Sequence, residues 1–510
     1  MTDASLPQAT PPKAKSRFDR MLNRIERIGN ALPHPATIFG ILAVTVVLVS
    51  FITHLAGVRA VNPADGKTVA PFNLLGAEGL VYMFVNVVKN FITFPPFGIV
   101  LVCTVGIGIA EGTGLLEVII RQTIVKAPRR FVTSAVITAG ILSHLASEIG
   151  YVVLIPLGAM IFSAFKRHPI VGIAAAFAGV SGGFGANFLI GSIDPVLSGL
   201  TESAAAIVQP GISINPAANY YFMLASGVLL VVVGTFVTEK VIEPRFGEYH
   251  APHEEIKEVT PQERRALFWS MMTMLFVAVG LAALTIPEGG LLRGDGDVFK
   301  GPFFQGMITA IVLLFALPGL VYGIMTGKIK NDRHVIDLIT KSIRGIGPYI
   351  VLVFFAAQFI EWFKVSNLGM ILAIKGAGLI QSSGISGVVL IFIFVLISAL
   401  LNFFMGSASA KWAIMAPVFV PMFMLSGYHP ALTQAAFRIG DSVTNIVTPM
   451  MSYFALILTF INKYDKNAGI GTTIATMIPY TIFFFVTWTA LLLLWFVLGL
   501  PLGPGAPVLM

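Results

Sequence analysis

Long hydrophobic stretches alternate with short polar segments along this chain. The apolar run over residues 35–56 can cross a bilayer, since about 20 helical residues span its hydrocarbon region. Similar runs follow at about 220–237, 266–286 and 303–325. This pattern predicts an all-α, polytopic membrane protein.

Two other apolar stretches are interrupted by polar residues and helix breakers. At about 131–165 and 387–425, a polar centre separates two apolar arms, and those of the first stretch are too short to cross comfortably. Loose backbone survives at membrane depth only where protein or a watery cavity surrounds it. Both stretches are therefore predicted to form re-entrant helical hairpins.

The chain also contains an internal repeat. A shift of 261 residues aligns several breakers and polar residues without a gap: Pro156 with Pro417, His168-Pro169 with His429-Pro430, and Ser181 with Ser442. The predicted crossings orient the two copies oppositely. Paired breakers in oppositely oriented halves indicate an inverted-repeat secondary transporter, whose site lies near the midplane between the repeats.

These signals predict six parts in chain order. They are a cytoplasmic tail (1–32), a first spanning helix with an outer loop (33–78), the first repeat (79–238), a cytoplasmic linker (239–265), two spanning helices with a cytoplasmic connection (266–341), and the second repeat (342–510).

Composition excludes a soluble enzyme. The 510 residues are 56% hydrophobic and 11% charged, whereas a soluble domain has about a quarter charged residues. The net charge of +8 comes from basic residues in the tail and short loops, which fits cytoplasmic loops rather than nucleic-acid binding. Cys103 lies in an apolar run and is interpreted as a packing residue.

Charged residues within apolar sequence are the main candidates for chemistry. Arg438 can hold a carboxylate or sulfonyl group through two parallel hydrogen bonds, or it can form a structural ion pair with Asp441 three residues on. Asp194 and Asp441 are candidates for ion coupling, by a proton or by Na⁺ bound near them. Asp194 has a second interpretation as a turn residue before Pro195.

Neighbouring uncharged residues complete the predicted substrate site. Trp412 offers a flat face to an aromatic ring, or it fills space. Asn402, Ser407 and Ser409 offer polar contacts at the second hairpin tip, or bonds between helices. Asn187 ends a glycine-rich break in the first repeat and is also assigned to the substrate.

Several motifs carry a resemblance to a known family. The run Ser-Ala-Ser-Ala-Lys-Trp at 407–412, Phe-Arg-Ile-Gly-Asp-Ser at 437–442 and Gly-Ala-Asn at 185–187 are similar to the p-aminobenzoyl-glutamate transporter (AbgT) family. The resemblance covers nearly the whole chain. It implies transport roles for Asp194, Asn402, Ser409, Trp412, Pro430, Arg438, Asp441 and Pro449.

The same resemblance implies an architecture and a substrate class. We expect a homodimer in the bacterial inner membrane with a cytoplasmic N-terminus, about nine spanning helices and two hairpins per subunit. The implied substrates are p-aminobenzoyl-glutamate and, for some members, exported sulfonamide antimetabolites. Ser147-Glu148 stands where one relative has Ser-Asp, so whether Ser143, Ser147 and Glu148 contact substrate or ion is left open.

Other functional classes fit fewer features. A sodium-coupled transporter of other carboxylates is the nearest alternative. An intramembrane hydrolase could use Ser147 with His144 or Glu148, and a channel could share the hairpins. The sequence has no phosphate-binding loop of the Walker type, so a gradient is the expected energy source.

Overall fold

The computed structural model describes residues 33, 35–61, 66–125, 131–146, 150–247, 259–294, 301–448, 451, 453–466 and 468–510. The predicted tail, Ser147, Glu148 and Pro449 lie outside these residues. Within them most residues are helical, and the one small sheet pairs β1 (Ala60–Val61) with β2 (Thr68–Val69) in antiparallel orientation. The all-α prediction is confirmed.

The first half of the chain contains nine described α-helices, several of them prolonged by short 3₁₀ or π-helical turns. They are α1 (Pro35–Leu55), α2 (Ala77–Ile92), α3 (Pro95–Gly112), α4 (Leu115–Val125), α5 (Val132–Leu142), α6 (Ile155–Ala164), α7 (Pro169–Phe177), α8 (Ile193–Ala205) and α9 (Tyr220–Phe236).

The remaining described helices begin after the charged linker. They are α10 (Pro261–Thr285), α11 (Pro302–Gln305), α12 (Met307–Met325), α13 (Asp332–Gly345), α14 (Gly347–Val365), α15 (Leu368–Ser383), α16 (Gly387–Leu401), α17 (Ala408–Leu425), α18 (Pro430–Asn445), α19 (Phe454–Asn462) and α20 (Ile470–Val497).

Among the described residues, seven helices are long and apolar enough to cross a membrane. They are Ala36–Leu55, Tyr220–Arg245, Pro261–Thr285, Met307–Met325, Gly347–Val365, Ala408–Leu425 and Ile470–Val497. These lengths and compositions support a multi-pass membrane protein. The expected number of nine spans and the positions of the domain boundaries stay predictions.

The α-helices in the arms of the first predicted hairpin are short, with a 3₁₀ turn (Ser143–Ala146) after α5 and a π-helical turn (Gly150–Leu154) before α6. Helices α5 and α6 have 11 and 10 residues. At 1.5 Å per residue each is about 16 Å long, roughly half the thickness of a bilayer core. In the second predicted hairpin, α16 has 15 residues and α17 has 18. Residues 402–407 lie between α16 and α17 and separate the arms of the second hairpin, whereas residues 147–149 of the first lie outside the described residues.

The repeat seen in the sequence also governs where helices start and end. Helices α6 and α17 end 261 residues apart, at Ala164 and Leu425. The same offset separates the starts of α7 and α18 (Pro169, Pro430) and the starts of α8 and α19 (Ile193, Phe454). Nδ1 of His168 accepts a hydrogen bond from the Ile170 amide, and Nδ1 of His429 accepts one from the Ala431 amide. Each histidine therefore caps a helix that begins with proline.

Helices α7 and α18 form the centre of the molecule, because every residue in both is buried. Glycines allow the hairpins to approach them closely. A Cβ at Gly172 of α7 would lie 2.3 Å from the Gly158 carbonyl oxygen of α6, and a Cβ at Gly440 of α18 would lie 2.5 Å from the Val395 carbonyl oxygen of α16. Each hairpin thus packs backbone to backbone against the helix that follows it.

Candidate substrate and coupling site

A cavity of about 780 Å³ lies between α3, α8, α13 and the tips of both hairpins. Its volume is within the range of small-molecule sites. The walls are mainly apolar, with a limited set of polar side chains. Those polar residues are Thr104, Glu111, His144, Tyr151, Ser192, Lys341, Ser342, Tyr349, Ser407, Ser409, Asn445 and Tyr453.

The tip of the second hairpin supplies two of the predicted site residues to this cavity. Ser407 precedes α17, and its hydroxyl accepts a hydrogen bond from the Ala410 amide, as an N-cap serine does. The Ser407 and Ser409 hydroxyl oxygens are 3.3 Å apart. Both residues line the cavity, so their hydroxyl groups can meet a polar ligand there.

An aromatic wall that the sequence interpretation missed lies on the same cavity. The rings of Tyr151 and Tyr453 are stacked, with centroids 4.5 Å apart and an interplanar angle of 7°. Tyr151 also donates a hydrogen bond to Ser181 (3.3 Å). The available signal was the repeat, since the 261-residue shift places Tyr151 opposite Trp412.

Arg438 forms an ion pair that joins the two repeats. Its Nη2 lies 2.6 Å from Oδ1 of Asp194, and both side chains are 2% exposed. The other Asp194 oxygen accepts a 2.6 Å hydrogen bond from the Gly191 amide, so Asp194 also stabilises the turn before α8. Nε of Arg438 is buried without a hydrogen-bond partner. The alternative of an Arg438–Asp441 pair is wrong, because helix α8 supplies the partner instead.

Asp441 pairs with a residue that the sequence interpretation did not select. Nζ of Lys411 lies 2.5 Å from Oδ1 of Asp441, with side chains 1% and 2% exposed, and it also donates to the amide oxygen of Asn402. The Asn402 amide nitrogen donates to the Asp441 carbonyl (2.7 Å), Asn445 (2.8 Å) and Thr444 (2.9 Å). Asn402 therefore connects the second hairpin to α18. A lone lysine within an apolar run was the available signal.

Trp412 lies inside the protein rather than on the cavity. It is fully buried, its ring stacks on Phe437 at 4.6 Å, and its indole nitrogen donates to Thr201 (3.0 Å). Thr201 belongs to α8, which packs against α17. In this conformation Trp412 helps to hold the two repeats together.

The other predicted positions lie apart from the cavity wall. Asn187 is buried and accepts a hydrogen bond from the Phe188 amide (2.8 Å). Pro430 begins α18, eight residues and about 12 Å along the helix from Arg438. Pro449 is outside the described residues. Among the described residues, no three His, Cys, Asp or Glu side chains gather as metal ligands, and Na⁺ near Asp194 or Asp441 stays a prediction.

Comparison with known proteins places this arrangement in a family. Residues 20–510 match the model of the AbgT putative transporter family. The p-aminobenzoyl-glutamate transport protein of Escherichia coli (strain K12) is 38% identical over 496 residues, which cover 96% of this chain and 97% of that protein.

Two solved structures have the same fold. The Neisseria gonorrhoeae MtrF structure, described as illuminating a class of antimetabolite efflux pumps, matches with a TM-score of 0.89 and 45% identity over 96% of this chain and 100% of that one. The Alcanivorax borkumensis YdaH transporter, described as having an unusual topology, matches with a TM-score of 0.87 and 40% identity over 92% of this chain and 100% of that one. The chain therefore belongs to the AbgT family of transporters.

Proposed function

We propose that this chain is a gradient-driven secondary transporter of aromatic carboxylates related to p-aminobenzoyl-glutamate, with export of sulfonamides through the same site. The observation that carries the proposal is the buried Arg438–Asp194 ion pair between the repeats. Residues 192 and 193, next to Asp194, line the cavity. The unpartnered Nε of Arg438 leaves a donor for an incoming anion.

The pair provides a way to couple an anion to a cation. A substrate carboxylate that binds Arg438 competes with Asp194 for the guanidinium. Once displaced, the Asp194 carboxylate is buried without a counter-charge, which is costly unless a proton or Na⁺ neutralises it. Binding of an anionic substrate and of the coupling cation thereby favour each other, as symport requires. Sulfonamide export against an inward gradient would instead require the cation and the drug to bind alternately.

The cavity wall supplies contacts for the rest of such a substrate. The Tyr151–Tyr453 stack presents aromatic surface, and Ser407, Ser409 and Asn445 present polar groups. We assign the benzoyl or sulfonamide ring to this wall. A homodimer in the bacterial inner membrane, with the N-terminus in the cytoplasm, completes the proposal and rests on the family resemblance.

The test is transport of labelled p-aminobenzoyl-glutamate in proteoliposomes, with proton and sodium gradients imposed separately. Accumulation should follow at least one gradient and should be abolished by Arg438→Gln. Arg167→Gln is a matched control, because Arg167 also pairs with a carboxylate, Glu243 at 2.6 Å, but this pair does not join the two repeats. It should retain transport per folded molecule. Transport by Arg438→Gln at the parent rate, or no accumulation with either gradient, would refute the proposal.

A further inference from the structure

The ammonium group of Lys411 occupies a position that has the character of a monovalent cation site. Two oxygen atoms meet it there, from the Asp441 carboxylate at 2.5 Å and from the Asn402 side-chain amide. Lys411 and Asp441 are both almost fully buried, and Asn402 is completely buried. Carboxylate and amide oxygens are also the ligands that hard cations prefer.

The backbone around this position also resembles that of a cation site. Asn402 directly follows α16, Lys411 lies in the first turn of α17, and an irregular turn connects the two helices. In transporters with interrupted helices, carbonyl-rich helix C-termini and unwound segments coordinate coupling ions. The C-terminal end of α16 carries the negative end of its helix dipole, which favours a positive charge nearby.

We propose that Lys411 is a tethered cation that fills this position and keeps Na⁺ out of it, so that it determines cation specificity at Asp441. The lysine and aspartate charges cancel. Na⁺ added beside them would leave a net buried positive charge, which is strongly disfavoured. The ammonium also takes the space next to the carboxylate oxygen. Removing the amine should therefore turn the Asp441–Asn402 oxygens into a Na⁺ site.

Asp441 is the second carboxylate that the sequence predicts for ion coupling. This inference rests on the proposed function only in treating the protein as a cation-coupled transporter, and its test needs no substrate. The melting temperature of the purified full-length protein in detergent is measured while NaCl replaces choline chloride at constant ionic strength. The parent should not respond to Na⁺. Lys411→Ala should melt lower in choline, and its Tm should rise with NaCl to a plateau, because a ligand that binds only the folded state stabilises it.

Two control variants separate this effect from general salt stabilisation. Lys364→Ala removes a more exposed lysine that lies 3.9 Å from Glu361, and its Tm should not depend on Na⁺. The double variant Lys411→Ala/Asp441→Asn should lose the Na⁺ response, because the anionic ligand is gone. A transport assay that failed for every substrate would refute the proposed function and leave these Tm results interpretable.

Three results would overturn the assignment. The first is a Lys411→Ala protein whose Tm is the same in Na⁺ and choline. The second is a parent protein whose Tm rises with Na⁺ and loses that rise on Asp441→Asn. The third is that neither Lys411→Ala nor Lys411→Ser folds in NaCl or in choline chloride, because Na⁺ would then be unable to take the place of the lysine amine.

Discussion

Replacing Asp194 by Asn removes the carboxylate that pairs with the buried Arg438 guanidinium. Breaking a buried pair from one side costs about 3–5 kcal/mol, because an uncompensated charge stays inside. With Arg438 and Asp194 each 2% exposed, solvent gives little screening, so the full range applies. The unfolding equilibrium constant should rise by about two to three and a half powers of ten.

Changing both partners should recover part of that loss. Arg438→Met with Asp194→Asn leaves no charge in the pair, so we expect a coupling energy of at least about 2 kcal/mol in the double-mutant cycle. Equilibrium unfolding in mixed micelles of detergent and SDS, followed by tryptophan fluorescence, measures all four proteins. The double variant should fold and should not transport, because the proposed anion-binding group, Arg438, is lost.

The Lys364–Glu361 pair provides the comparison cycle. Its atoms are 3.9 Å apart and its side chains are 36% and 30% exposed, so its coupling energy should be about 0–1 kcal/mol. A coupling energy below about 0.5 kcal/mol for Arg438 and Asp194 would show that they do not stabilise each other, and the proposed competition with substrate would lose its basis.

Three further outcomes are expected. Trp412→Phe keeps an aromatic ring in the buried position but loses the hydrogen bond to Thr201, so stability measured by SDS unfolding should fall by about 1–3 kcal/mol. The substitution should change the binding of aromatic and of non-aromatic ligands equally. Ser409→Ala on the cavity should weaken substrate binding several-fold in a titration, whereas Ser398→Ala, whose hydroxyl bonds within its own helix, should not. His429→Ala removes a helix cap and should cost about 1 kcal/mol in the same unfolding assay; an unchanged stability would contradict the capping role.

The positions and ends of helices could be predicted from the sequence, because the residues that determine them lie within the helix or next to it. Hydropathy predicted the helical membrane architecture, and the aligned His-Pro pairs of the repeat coincide with the starts of α7 and α18. The 261-residue offset holds for helix ends as well as for residue identities. Prolines and capping residues act within one helical turn, so they carry over directly from sequence to structure.

The pairing of charges could not be predicted in this way. Arg438 and Asp441 are three residues apart on one helix, yet each pairs with a different helix, and the partner of Arg438 is 244 residues away. Which charges meet depends on how α8 and α17 pack around α18, and helix spacing alone does not contain that information. Trp412 shows the same limit, because its sequence position near the hairpin tip does not reveal that Phe437 covers its ring.

The glycine contacts between hairpins and central helices restrict how the transporter can move. Shifting α16 along α18 by one residue, about 1.5 Å, would force backbone atoms that already touch at Gly440 and Val395 past one another. Sliding inside a repeat is therefore blocked, and each hairpin should rock together with its central helix as one rigid body. The displacement then falls on the contacts between the two bodies, and these contacts include the buried Arg438–Asp194 pair.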